Sequence, residues 1–142
     1  MLFTYLYIDN FYNFSNTSID FTLKRELKDS LIDGEYLEER PKFRFKRVCI
    51  LSGANASGKT SLGHILLHIQ HFILSPNIKL RKINHKERVG SIKVEFVFPQ
   101  TNTIHYLEIR ESSKEEDLPS ITYASIPILQ NSTAYATRKR LK

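Results

Sequence analysis

The chain of 142 residues contains a single cysteine, Cys49, so no internal disulfide can form. Cys49 sits in the apolar run Val48-Cys49-Ile50-Leu51 and reads as a buried, inert thiol, a usage that favours a reducing cytoplasm. No stretch approaches the 18 or more apolar residues of a membrane span. The opening MLFTYLYIDNFYNF lacks a basic leader and meets Asp9 early, which argues against a signal peptide. Net charge is also scarce outside one place. The formal charge is +6, but Arg138-Lys139-Arg140-Leu141-Lys142 carries four positive charges, leaving +2 for the other 137 residues. That basic tail, 138–142, is expected to be a solvated terminus or the start of a helix, with contact to nucleic acid or an anionic surface as the alternative.

What remains is ordinary globular material: 41% hydrophobic and 25% charged residues, in a length that suits one domain. Residues 2–8 are rich in aromatic and aliphatic side chains and predict a strand, followed by turn formers at 11–16. Alternation over 19–23 predicts a second strand, antiparallel to the first. The segment 24–47 turns strongly charged, with Gly34 and Pro41 as breakers, and reads as an irregular insertion containing a short helix. Within it Phe43-Arg44-Phe45-Lys46 alternates and leads into a strand over 48–51. Leu62, Ile65, Leu66, Ile69, Phe72 and Ile73 keep the spacing of an amphipathic helix that ends by Pro76. Three further strands are expected over 91–98, 103–110 and 121–128, with a hairpin turn at 99–102 and a charged loop at 111–119.

Between the 48–51 run and the helix lies Gly53-Ala54-Asn55-Ala56-Ser57-Gly58-Lys59-Thr60-Ser61, which matches G-x-x-x-x-G-K-[ST] at every fixed position. The chemistry of this spacing is electrostatic. Glycines let the chain wrap so that successive N–H groups face a phosphate, at a helix N-terminus that carries about half a positive charge. Lys59 is expected at the β and γ phosphates of a nucleotide, the Thr60 hydroxyl on Mg²⁺, and Ser61 at the α phosphate.

Asn55 and Ser57 give the loop the form G-x-N-x-S-G-K-T-S, which resembles the phosphate loop of ABC-type ATPase heads: the SMC and RecF group and the OLD-like "AAA" ATPases. The order of strand, Asn10-Phe11 pair, strand and loop also resembles the opening of those heads. The resemblance covers about the first 75 residues specifically. It implies an α/β P-loop NTPase fold, as the N-terminal lobe of an ABC/SMC-like ATPase head with an antiparallel β subdomain. It implies ATP and Mg²⁺ as ligands, work on DNA or in phage defence, and Phe11, Tyr12 and Asn13 as candidates for contact with the base. It also places a Mg²⁺-sensing glutamine near Gln130.

Hydrolysis in that family needs an aspartate ending a buried strand, a following glutamate and a serine-rich signature motif. No run of four apolar residues ending in Asp follows Thr60; Leu6-Tyr7-Ile8-Asp9 has the pattern but precedes the loop. The chain therefore reads as one lobe, a fragment of a larger ATPase, whose site would be completed by a C-terminal lobe, a partner chain or a self-dimer. The alternative is a non-catalytic module that docks protein or nucleic acid, with nucleotide as a structural ligand. A small kinase or GTPase is disfavoured by the lack of N-K-x-D and D-x-x-G.

Two further patterns have simpler readings. His64, His68 and His71 share one side of the helix, but no Cys, Asp or Glu joins them within a turn, so a polar face is expected rather than zinc. Residues 40–47 interleave basic and aromatic side chains, which suits an edge strand with Phe43 and Phe45 inward as well as a nucleic-acid track.

Overall fold

The structure is a computed structural model and describes residues 1–23, 34–55, 57–75, 83–112, 114 and 117–141. Its frame is a five-stranded sheet built from β1 (Leu2–Asp9), β2 (Thr17–Asp20), β5 (Gly90–Phe98), β6 (Thr103–Glu111) and β7 (Ser120–Pro127), in the order β2-β1-β5-β6-β7. Every neighbouring pair is antiparallel. Two short strands, β3 (Tyr36–Leu37) and β4 (Arg40–Arg44), form a separate antiparallel pair, and the helices are α1 (Lys59–Leu74) and α2 (Ala134–Leu141).

Period-two alternation sends side chains to two faces of this sheet. Leu6, Ile8, Ile92, Val94, Phe96, Leu107 and Ile109 form one face, in register across β1, β5 and β6. Helix α1 lies on it through Leu62, Ile65, Ile69 and Phe72, all buried. Each such side chain removed from water contributes about 1.5–3 kcal/mol, so this layer is the principal core. On the other face Val97, Ile104 and Ile128 pack with Leu37, Phe43 and Phe45 from the β3–β4 region and with Ala134 of α2. Phe43 and Phe45 do point inward, as an edge strand requires.

Strand β5 turns into β6 through a 3₁₀ turn, Pro99–Thr101, closed by Asn102 in the left-handed region at φ 47°. Proline supplies the φ for the start of such a turn and asparagine tolerates its end.

Three expectations are corrected. Residues 48–51 form no strand, and Val48, Ile50 and Leu51 are 75%, 88% and 52% exposed. A strand is stable only where neighbours take its N–H and C=O groups, and among the described residues no strand pairs with this run. Cys49 is exposed for the same reason. Of the two expectations for the basic segment, the helix is the one observed: Ala134–Leu141 is helical, and the Arg138 side chain is 13% exposed. Of the 24–47 insertion, residues 34–47 hold the β3–β4 pair rather than the short helix expected in that segment, and residues 24–33 lie outside the described residues. Among the described residues no helix is long and apolar enough to cross a membrane.

Candidate phosphate site

The 53–61 loop joins the exposed 48–51 run to α1. Gly58 stands immediately before the helix in the left-handed conformation, φ 88° and ψ 6°, and its carbonyl accepts from Leu62 N at 2.9 Å. Glycine adopts that φ without the clash a Cβ brings. Lys59 is the first helical residue. Its Nζ donates to the carbonyls of Gly53 and Ala54, both at 2.6 Å, and to Ser57 Oγ at 3.1 Å. Ser57 N donates to Ala54 O at 3.3 Å, so the chain curls around the ammonium. Thr60 is exposed and Ser61 half-buried at the helix start, Gly53, Ala54 and Asn55 are exposed, and Ala56 lies outside the described residues.

The first turn of α1 contains no acidic residue. The unpaired N–H groups there and the Lys59 charge favour an anion together, because both act within the same turn.

The turn between β1 and β2 abuts the loop. A Cβ added at Gly58 would lie 3.1 Å from Phe14 Cζ, which places the Phe14 ring directly against the glycine. Of the residues expected to meet a base, Phe11 is instead a core side chain, 1% exposed, with its ring so close to Gly90 that a Cβ there would come within 2.7 Å of it. Tyr12, at φ 49°, is half-buried and packs against the core, so of the three only Asn13 is exposed on the turn.

Asp9 is committed to holding this turn. Its Oδ1 accepts from Asn16 N at 3.0 Å, and its Oδ2 pairs with Arg88 Nη2 at 3.0 Å.

Gln130 is not brought to the loop. Strand β7 ends at Pro127 opposite Thr103, the end of the sheet away from the β1–β2 turn, and Gln130 follows there in an exposed turn. The sheet register fixes this separation. His64 and His71 are exposed and His68 half-buried, and among the described residues no group of three His, Cys, Asp or Glu side chains could hold a metal ion.

Two residues with clear structural work were missed by sequence reasoning. Phe14 stood inside a stretch read only as turn formers, although three asparagines around it, Asn10, Asn13 and Asn16, mark a tightly bent chain. Arg138 was lost in a charge run. Neither a protein-family model nor a curated protein matches this chain. The site therefore rests on its own geometry.

Proposed function

We propose that this chain is the ATP-binding N-terminal lobe of an ATPase of the ABC/SMC/RecF/OLD-like kind, cytoplasmic, holding Mg-ATP on residues 53–61. The single observation that carries this reading is Lys59, whose ammonium sits in the curl of Gly53, Ala54 and Ser57 at the start of α1. Those carbonyl and hydroxyl partners satisfy the ammonium without nucleotide. On binding, the β and γ phosphates would take over the ammonium, Thr60 would offer its hydroxyl to Mg²⁺, and Asn13 would lie toward the base.

Among the described residues, binding is as far as the chemistry is carried. Asp9 has the position of a strand-ending carboxylate but is paired with Arg88 and Asn16, so no Mg²⁺ role is assigned to it. The exposed apolar residues Val48, Ile50 and Leu51 precede the loop, and Leu67 and Leu74 lie exposed on α1. Apolar surface of this kind suits a second lobe, from a partner or a second copy, that would add the water-activating carboxylate. Its coupled work would be on DNA or in phage defence, as the loop resemblance suggests.

The direct test is equilibrium titration of the chain with Mg-ATP and Mg-GTP, alongside a phosphate-release assay. The reading expects saturable ATP binding without turnover by the chain alone. Preferential GTP binding, or no binding of either, would contradict it. A second reading, a nucleic-acid docking module, draws on the exposed Lys139 and Arg140 in the last turn of α2. Salt-dependent DNA binding indifferent to ATP would favour it.

A further inference from the structure

We infer that Phe14 is a positioning residue for the phosphate loop: its ring braces Gly58 and so fixes where Lys59 and the first turn of α1 stand. This inference rests on the nucleotide reading and adds a residue that the loop motif does not contain. The three atoms nearest a Cβ built at Gly58 all belong to Phe14, Cζ at 3.1 Å, Cε1 at 3.5 Å and Cε2 at 3.9 Å. Gly58 is the hinge between the curl and the helix, and Lys59 follows it directly. A shift of Gly58 therefore moves the ammonium and the helix N–H groups as one unit.

The brace is useful only if Phe14 is itself held, and the structure holds it from three sides. Phe14 N donates to Phe11 O at 2.9 Å, and Phe11 is locked in the core. Asn16 N bonds to Asp9 Oδ1, and Asp9 pairs with Arg88. Asn10, 1% exposed, donates from Nδ2 to the carbonyls of His85 at 3.1 Å and Arg88 at 2.8 Å, and accepts from His85 N at 2.8 Å. Asn10, Tyr12 and Asn16 all take positive φ, at 58°, 49° and 45°. A turn bent three times through that region and tied at both ends is a firm support rather than a passive connection. The described loop residues, by contrast, are mostly exposed.

The test uses the whole 142-residue chain with two probes, Mg-ATP and inorganic pyrophosphate, at a temperature well below unfolding. Phe14→Ala is expected to weaken both probes by about tenfold or more, since the phosphate-binding groups lose their geometry. Phe14→Leu, which keeps part of the apolar contact, is expected to fall between Phe14→Ala and wild type. Asn13→Ala, at the exposed position of the turn, is expected to weaken ATP and leave pyrophosphate unchanged. Should Phe14→Ala fail to fold, Phe14→Leu decides the question with the same two probes. Wild-type affinity for both probes in these variants, even with a lower unliganded melting midpoint, would reduce Phe14 to a structural residue and overturn the inference. Failure of the wild type itself to bind either probe would instead overturn the nucleotide reading, and this inference with it.

Discussion

Arg138, in the last turn of α2, reaches across one face of the sheet to Asp20 of β2, with Nη1 3.1 Å from Oδ2. Its Nε donates to Glu95 of β5, its Nη2 to Thr4 O of β1 at 3.2 Å, and its guanidinium lies 4.9 Å from the Tyr5 ring centre. One side chain thus ties the C-terminal helix to three adjacent strands. The Glu95 it pairs with is 1% exposed, so the pair is shielded from the screening that makes surface ion pairs weak.

Removing one member of such a pair takes the opposing charge away from a buried ion, which typically costs about 3–5 kcal/mol. Arg138→Ala is accordingly expected to lower the unfolding free energy from urea denaturation by that order, and adding Glu95→Gln should recover part of the loss. A change within about 0.5 kcal/mol, the range of an ordinary surface substitution, would contradict the latch.

The same cluster makes stability depend on pH in one direction. Burial pushes the Asp20 carboxyl up, but hydrogen bonds from Arg138 and Thr22 outweigh it and hold the pKa below the ordinary 3.8. Glu108 behaves alike: burial raises it, and Arg110, Tyr106 and Lys93 bring it below the ordinary 4.5. A carboxylate depressed in the folded state contributes stability above its unfolded pKa and loses it as pH falls through the folded one. Unfolding free energy is therefore expected to be flat with respect to these two groups above about pH 5 and to fall below pH 4. Asp20→Asn should reduce that acid slope; an unchanged slope would remove Asp20 from the account.

The exposure of residues 48–51 gives a third expectation. Ile50→Lys, at a position 88% exposed, should alter the stability of the isolated chain by no more than about 0.5 kcal/mol while raising its solubility. If the residue were a core strand position, the same substitution would cost several kcal/mol through a buried, unpaired charge. Chemical denaturation separates the two.

Local pattern predicted most of this fold. β1, β5, β6 and β7 were legible because alternating apolar residues and turn formers mark them, and α1 because Leu62, Ile65, Ile69 and Phe72 share a helical face. The 48–51 run misled for a physical reason: an apolar run specifies a wish to be buried, while a strand also needs partners for its backbone. Arg138 was illegible because its meaning lies in Asp20 and Glu95, 118 and 43 positions away. At the site, the loop residues could be named from their spacing alone. The contact of Phe14 with Gly58 could not, since nothing in their separation of 44 positions specifies it.

Thermal unfolding with and without Mg-ATP tests most directly whether the curl around Lys59 holds a nucleotide. At about 100 times its dissociation constant, ATP should stabilise the chain by roughly 2.7 kcal/mol and raise the melting midpoint, and Lys59→Ala should abolish that rise. An unmoved midpoint in the wild type, or an equal rise in Lys59→Ala, would contradict a nucleotide held there.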